Sequence, residues 1–253
     1  MGLAINFNLI MKLKKLFTYV FYSSFIFLSI SCTDSLIGDE GELDEDIFLN
    51  YQTKTALELP FENEAGTDWT ISQGGRTGIE NNHFSNRAAR YGVDFGQKEN
   101  GVAFVGGGTN NEDYYSFGKR INAPGDGKIV AMKNTVEDNT QVTVRNTNQP
   151  RGNYIVIDHL NGEFSILAHF KYNSIIVELG DTVQRGQEVG KLGNSGRSTG
   201  PHLHYHMQTT PNYEDGNTDA NGVGLPMQFL NYFADDEFIE RGEPIKGQIV
   251  RKK

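Results

Sequence analysis

Three histidines at alternate positions in an apolar stretch constrain the local fold more than any other feature of the sequence. His202, His204 and His206 are separated by Leu203 and Tyr205. A β-strand sends alternate side chains to one face, so the three imidazoles are predicted to share a face while Leu203 and Tyr205 turn to the core. Imidazole nitrogen is a common zinc ligand and titrates near neutral pH. The stretch therefore predicts a strand whose polar face lines a cleft; a polar strand on a hydrated surface is the alternative.

The rest of the chain predicts an all-β fold with antiparallel sheets and long loops. Twenty-nine glycines and 11% aromatic residues are typical of a turn-rich β protein. Short runs of β-type residues predict strands at 69–71, 127–132, 141–145, 153–159, 163–168, 175–177, 187–192 and 202–208. Asn161 and Gly162 predict a hairpin turn between two of them. The segment 225–229 is predicted to cover an apolar edge, and residues 251–253 are predicted to be frayed.

The first 31 residues have the features of a targeting segment. Lys12, Lys14 and Lys15 precede an apolar and hydroxyl-rich run of 16 residues, which is too short to cross a membrane comfortably. The only cysteine, Cys32, ends this run after small residues, a pattern that resembles a bacterial lipoprotein signal. The resemblance implies cleavage before Cys32 and acylation of that residue. A secretory signal with an incidental cysteine is the alternative.

Charge and length divide the remainder of the chain. The acidic run that follows Cys32 cannot bury enough apolar surface to fold, so residues 32–56 are predicted to be an acylated cysteine and a solvated tether. Residues 57–250 are predicted to form one domain with N- and C-terminal extensions. The formal net charge of −9 argues against nucleic acid as a partner, since such proteins usually carry a basic patch. With one cysteine, the mature chain cannot form an internal disulfide.

Conspicuous motifs flank the histidine stretch. The segment SILAHF (165–170) comes before VELGDTVQRGQEVGKLGNSGRSTG (177–200), which leads directly into PHLH (201–204). Upstream, Asn82 and His83 precede YGVDF (91–95). This ordered set resembles peptidase family M23, the lysostaphin- or LytM-like zinc metallopeptidases that cut peptide bonds in bacterial peptidoglycan. The resemblance covers residues 60–210 and implies a lysostaphin/LytM-type β domain of the duplicated-hybrid-motif kind.

The resemblance also implies a catalytic zinc site. By that resemblance the zinc ligands are His83, Asp94 and His204, and the catalytic histidines are His169 and His202. Catalytic zinc needs about three protein ligands and one open position, and histidines beside it can move protons.

Three further residues bear on this site. The more common family pattern is His-x-x-x-Asp, but Arg90 stands four positions before Asp94 and cannot ligate a metal. The site therefore depends on a loop that brings His83 back. Asn82 is a candidate for orienting a ligand or the substrate, or it is only a turn residue. His206 either supports a metal ligand or lies on the strand surface, and the surface position is the favoured interpretation.

The function implied is a zinc-dependent endopeptidase that cleaves peptide cross-links or stem peptides of peptidoglycan. The chain would lie in the bacterial cell envelope, anchored to the lipid membrane through Cys32 and facing the periplasm or the cell surface. An inactive LytM-type regulatory module that activates another hydrolase is the alternative; the presence of all five residues favours the enzyme. A biotin- or lipoyl-carrier domain would explain 177–190 but neither the histidines nor Asp94.

Overall fold

The structure is a computed structural model that describes residue 48 and residues 50–212 and 222–253. Within these residues the chain is an all-β protein with one short 3-10 helix, Asn111–Asp113. The strands are β1 (Asp68–Gln73), β2 (Val93–Lys98), β3 (Arg120–Asn122), β4 (Gly127–Lys133), β5 (Asn153–Asp158), β6 (Phe164–Phe170), β7 (Thr182–Val183), β8 (Glu188–Lys191), β9 (Leu203–Gln208), β10 (Gly224–Leu225), β11 (Phe229–Ala234), β12 (Glu237–Gly242) and β13 (Ile249–Lys252). The predicted all-β class is confirmed.

One large antiparallel sheet holds most of these strands. Its order is β12-β11-β13-β1-β2-β9-β6-β5-β4-β7, with β10 paired to the end of β9, while β3 and β8 form a separate pair. The strand that carries the alternating histidines, β9, is central, because β2 lies on one side of it and β6 on the other. In this register His204 stands opposite Asp94 on β2 and opposite Ala168 on β6.

The two faces of this sheet differ, as the period-two pattern predicts. On one face Val93 and Phe95 of β2 meet Leu203, Tyr205 and Met207 of β9 in the main apolar core. A smaller apolar cluster lies on the strands β5 and β6, beside the polar residues of β2 and β9; it is formed by Tyr154, Val156, Ile166 and Ala168. Alternation therefore keeps the polar residues of β2 and β9 away from the main core.

Two of the predicted strands are absent from the described residues, and the reason is the same for both. Segment 141–145 is a loop held by scattered bonds, such as Val142 N–H to the Thr109 carbonyl at 3.0 Å and Thr143 N–H to the Thr199 carbonyl at 3.1 Å. In segment 175–177, Ile175 and Val177 are buried and Ile176 N–H donates to the Val189 carbonyl of β8 at 3.1 Å, but this pairing does not continue into a ladder. A β-type sequence becomes a strand only where a neighbouring strand can pair with it.

The C-terminal residues differ from the prediction. Strands β11, β12 and β13 extend the main sheet, and β13 pairs with β1 through Trp69 opposite Val250 and Thr70 opposite Ile249. The predicted fraying at 251–253 is wrong for Arg251 and Lys252, which belong to β13. The Lys252 ammonium also lies 2.8 Å from a Glu62 carboxylate oxygen.

The folded part begins earlier than residue 57. Thr53 N–H donates to the Gln228 amide oxygen at 2.7 Å, and both the N–H and the hydroxyl of Thr55 donate to Glu163, at 2.8 and 2.6 Å. The predicted tether boundary at residue 56 is therefore too late, because 51–55 packs on the domain. The signal segment, Cys32 and most of the tether lie outside the described residues. Among the residues that the structure describes, no helix has the length and apolar character needed to cross a membrane.

Candidate metal centre

Asp94 is the point on which the candidate site converges. Strand β2 places it beside His204, and its Oδ1 lies 2.9 Å from His204 Nδ1. Its Oδ2 lies 3.6 Å from Nε2 of His83. One ligand atom from each of the three residues lies within 4.8 Å of the others. Two atoms that each bind a tetrahedral zinc at 2.0–2.1 Å are about 3.3 Å apart, so this arrangement fits a single ion.

His83 reaches the site because a buried asparagine closes its loop. The Asn81 amide nitrogen donates to the carbonyls of Gly75 and Gly92, both at 3.0 Å. Its Oδ1 therefore accepts, at 3.0 Å from the His83 backbone N–H and 2.9 Å from His83 Nδ1. With its hydrogen on Nδ1, a neutral His83 has its lone pair on Nε2. That lone pair is on the atom that faces Asp94.

The loop fixes the positions of Asn81, Asn82 and Arg90, and a role for Asn82 in orienting the substrate stays a prediction. Asn82, the predicted candidate, has an exposed side chain, and its backbone N–H donates to Gln73 Oε1 at 3.0 Å. The residue that contacts His83 is Asn81, and the available signal was its position two residues before the histidine, where an asparagine commonly closes an Asx turn. The Arg90 guanidinium stacks on the Phe84 ring, 4.5 Å from its centroid, and does not enter the metal centre.

His169 enters the site through an irregularity in β6. Regular alternation from Leu167, which faces the main core, would send His169 to the same face. A register shift between β5 and β6 coincides with a φ of +66° at His169. A bulge of this kind redirects a side chain. The His169 ring consequently lies 4.9 Å from the ring of His202, and its Nδ1 lies 2.7 Å from the Ser195 carbonyl oxygen.

His202 lies just before β9, at the end of the glycine-rich turn. Its Nδ1 is 2.8 Å from the Gly200 carbonyl and 3.1 Å from the Ser198 hydroxyl. The carbonyl can only accept, so the hydrogen is on Nδ1 and the lone pair of the neutral ring is on Nε2. This nitrogen lies 3.8 Å from Asp94 Oδ1. His202 therefore points a bare nitrogen into the site beside the candidate ligands.

Burial and the mutual proximity of these groups set their protonation. Burial lowers the pKa of His83 to about 4, although the nearby Asp94 carboxylate partly offsets this. Burial also holds the pKa of His169 well below its usual value, and the neighbouring His202 and His204 lower it further. Burial alone would raise the pKa of Asp94, but the imidazoles of His202 and His83 outweigh it and keep the pKa low. Neutral imidazole and ionised carboxylate are the forms that bind a metal.

His206 is not on the strand surface, which the sequence analysis favoured. Its side chain is buried because β9 has neighbours on both sides. Its Nδ1 lies 2.9 Å from Nε2 of His204, and its Nε2 lies 3.3 Å from Oε1 of Gln208. The contact with His204 agrees with the other predicted role, support of a ligand.

Comparison with known proteins gives a family match over the part of the chain that holds His169, His202 and His204. Residues 113–217 match the family described as Peptidase family M23. The chain is 46% identical over 67 residues to the peptidoglycan DD-endopeptidase ShyA of Vibrio cholerae, covering 26% of this chain and 15% of ShyA. It is 38% identical over 93 residues to ShyC of the same organism, covering 36% of this chain and 20% of ShyC. The chain thus matches a fifth or less of the length of these relatives.

The catalytic domain of the antimicrobial peptidase lysostaphin from Staphylococcus simulans is among the similar solved structures. It is 20% identical, with a TM-score of 0.33, and the match covers 58% of this chain and 82% of that domain. The range that matches the family includes His169, His202 and His204, whereas His83 and Asp94 lie before it and join them through the fold. The similarity to peptidase family M23 is thus shown for residues 113–217, the part of the chain that carries His169, His202 and His204.

Proposed function

We propose that the chain is a zinc-dependent endopeptidase that cleaves peptide cross-links or stem peptides of peptidoglycan. The observation that carries the proposal is the convergence of His83 and Asp94 with His204, which is 110 positions after Asp94. His169 and His202 lie beside this trio. The naming of ShyA and ShyC as peptidoglycan DD-endopeptidases supports the same reaction class and substrate.

The metal centre and the two remaining histidines have separate roles in this proposal. Zinc held by His83 Nε2, an Asp94 oxygen and His204 Nδ1 would polarise the scissile carbonyl and bring the pKa of a water molecule to about 7. His169 and His202 each offer Nε2 for proton transfer, because a backbone carbonyl holds Nδ1 of each ring. One imidazole takes a proton from the attacking water, and one donates a proton to the leaving amine.

The state of these residues favours an enzyme over an inactive regulatory module. The low pKa of His169 keeps its imidazole neutral, and so able to accept a proton, at neutral pH. Its backbone φ of +66° is a conformation that a non-glycine residue adopts at a cost of about 1–3 kcal/mol, and such residues cluster at active sites. An inactive binding module would not need a strained backbone that turns the His169 imidazole toward His202.

The test combines zinc analysis with digestion of purified peptidoglycan. We expect about one zinc per chain, as a site of three protein ligands and an open position requires. We also expect soluble products that mass spectrometry identifies as hydrolysed at a peptide bond. Loss of cross-linked dimers would indicate cross-link cleavage, and shortened stems would indicate stem cleavage. A fully zinc-loaded chain that releases neither kind of product would contradict the proposal.

We also propose that the chain is a lipoprotein of the bacterial cell envelope, anchored to the membrane through acylated Cys32. The basic residues, the apolar run and the single cysteine support this proposal. We expect Cys32→Ser to move the protein from the membrane fraction to the soluble fraction and to abolish incorporation of labelled fatty acid. The Ser35→Ala variant is the matched control and should stay in the membrane fraction. Unchanged fractionation of Cys32→Ser would rule out acylation as the anchor.

A further inference from the structure

We propose that His206 and Gln208 are positioning residues that fix the tautomer of His204, so that its Nδ1 lone pair faces Asp94. The three side chains of His204, His206 and Gln208 follow one face of β9 at alternate positions, and all three are buried. We refer to them as the β9 row. The importance of the row for catalysis rests on the proposed function, whereas the tautomer itself does not.

Gln208 sets the direction of the hydrogen bonds along the β9 row. Its amide nitrogen donates to the carbonyl oxygens of Thr210 and Asn212, both at 2.8 Å. Carbonyl oxygens only accept, so turning the amide over would place its oxygen against two acceptors. The Gln208 Oε1 must therefore face the other way, toward Nε2 of His206 at 3.3 Å.

The hydrogens of the two imidazoles follow from that orientation. Since Gln208 Oε1 only accepts, the hydrogen of a neutral His206 is on Nε2, and its Nδ1 is bare. This Nδ1 then accepts from Nε2–H of His204 at 2.9 Å. These directions hold for a neutral His206, and its ring is only 1% exposed, so little water is available to stabilise an imidazolium.

The result at His204 is a bare Nδ1 that lies 2.9 Å from Asp94 Oδ1. Two atoms that present lone pairs at this distance repel each other unless a cation lies between them. The β9 row thus prepares a cation site, just as Asn81 does for Nε2 of His83. Hydrogen-bond partners of this kind fix the tautomer and orientation of metal-binding histidines, and their loss typically weakens metal binding about 10- to 100-fold.

The position of the row in the sheet makes it rigid. In the register of β6 and β9, His206 lies opposite Ile166, and Gln208 lies opposite Phe164. On the other side, β10 pairs with β9 at Gln208 and Met207. Because strands flank the row on both sides, it can orient His204 before any metal arrives, which is how supporting residues contribute most.

The first measurement is the tautomer of His204 in the metal-free, full-length chain, read from imidazole ¹⁵N chemical shifts and their couplings to hydrogen. We expect hydrogen on Nε2 of both His204 and His206. In His206→Leu the acceptor is gone, so we expect His204 to shift toward the form with hydrogen on Nδ1, where Asp94 accepts it. His204 with hydrogen on Nδ1 in the unsubstituted chain would overturn the proposal.

The second measurement is zinc affinity, by competition with a chromophoric chelator. We expect His206→Leu and Gln208→Leu to bind zinc about 10- to 100-fold more weakly. His206→Gln keeps an acceptor for His204 and a donor for Gln208, so it should restore most of the affinity. Met207→Leu is the control for packing, because Met207 lies on the core face of the same strand. Undiminished affinity in both leucine variants of the row would overturn the proposal.

These outcomes distinguish a failure of the proposal about the β9 row from a failure of the proposed function. A chain with the expected tautomer and expected affinity losses that does not digest peptidoglycan would refute the proposed reaction and leave the row intact. A chain that digests peptidoglycan, while both row variants bind zinc like the unsubstituted chain, would refute the row and leave the reaction intact. Because the tautomer is read without metal, it decides the question even if a substituted chain fails to fold.

Discussion

Four imidazoles near Asp94 each have one ring nitrogen held by a partner other than the carboxylate. The pairs are His83 with Asn81, His169 with the Ser195 carbonyl, His202 with the Gly200 carbonyl, and His204 with His206. Each ring is thereby oriented so that its other nitrogen is the one available to the site. A ring whose position is already fixed through one nitrogen loses less conformational freedom when its other nitrogen binds a metal or transfers a proton.

Substitutions should distinguish the predicted zinc ligands from the predicted catalytic histidines by their effects on zinc content and kcat. We expect His204→Ala and His83→Ala to lose bound zinc, because each removes one of three ligands. His202→Ala should keep about one zinc per chain and lose about 10²- to 10⁴-fold in kcat, the usual contribution of a positioned proton-transfer group. Zinc is measured by elemental analysis, and kcat is measured on a soluble cross-linked peptide. A His83→Ala chain with full zinc content would show that the ligand set is wrong.

Asn81 and Asn82 provide a matched pair of neighbours. Asn81→Ala removes the acceptor that holds Nδ1 of His83, so we expect zinc affinity to fall about 10- to 100-fold. Asn82→Ala should bind zinc like the unsubstituted chain, because its side chain is exposed and only its backbone N–H contacts Gln73. Chelator competition measures both affinities. An equal loss in the two variants would mean that the loop, and not the Asn81 side chain, holds His83.

At the scale of elements, the segment before β1 is attached to the β5–β6 hairpin by one buried carboxylate. Glu163 accepts hydrogen bonds from the Tyr51 hydroxyl at 2.5 Å, from Lys54 N–H at 2.7 Å and from the Thr55 N–H and hydroxyl. Burial alone would raise the pKa of Glu163, but the hydrogen bonds from Thr55 and Tyr51 outweigh it and lower the pKa.

We expect Glu163→Gln to destabilise the domain by about 1.5–3 kcal/mol at pH 7, since it weakens hydrogen bonds to a charged acceptor. A carboxyl whose pKa is lower when folded stabilises the fold fully above its unfolded pKa, about 4.3, and loses this contribution as pH falls through the folded pKa. The difference between Glu163→Gln and the unsubstituted chain should therefore shrink below about pH 4.3. Urea unfolding at pH 7, 5 and 3.5 measures it. A difference that does not change with pH would contradict an ionised Glu163.

At the scale of the whole molecule, the candidate metal centre joins segments that are far apart in sequence. It links the loop around Asn81 and His83 to β2 and β9, so a bound ion should stabilise the fold. Zinc at 1,000 times its dissociation constant would contribute about 4 kcal/mol. For a domain of this size each kcal/mol raises Tm by roughly 2–4 °C.

We therefore expect chelation of zinc to lower the Tm of the unsubstituted chain by roughly 8–16 °C, as measured by calorimetry. His204→Ala is the control, and its Tm should be the same with and without chelator. An equal decrease in both chains would show that the chelator acts somewhere other than this centre.

The sequence by itself determined the features that depend on neighbouring residues. The alternation at 202–206 placed His204 and His206 on one face, because side chains in a strand repeat every two residues. The Asn161–Gly162 pair indicated the turn between β5 and β6, since an asparagine–glycine pair readily adopts the backbone that a hairpin needs. The motifs around 165–204 indicated the family, and the family match spans that range.

Only the tertiary structure decided which distant groups meet and which face an irregular residue takes. His169 reaches the site through a bulge that breaks alternation, and Asn81 rather than Asn82 supports His83 because of how its loop closes. Segment 141–145 forms no strand, whereas 249–252 forms β13 because β1 pairs with it. A strand forms only where a neighbouring segment supplies partners for its backbone hydrogen bonds. Local sequence sets the period and the turns, but long-range pairing supplies the free energy that selects among the conformations they allow.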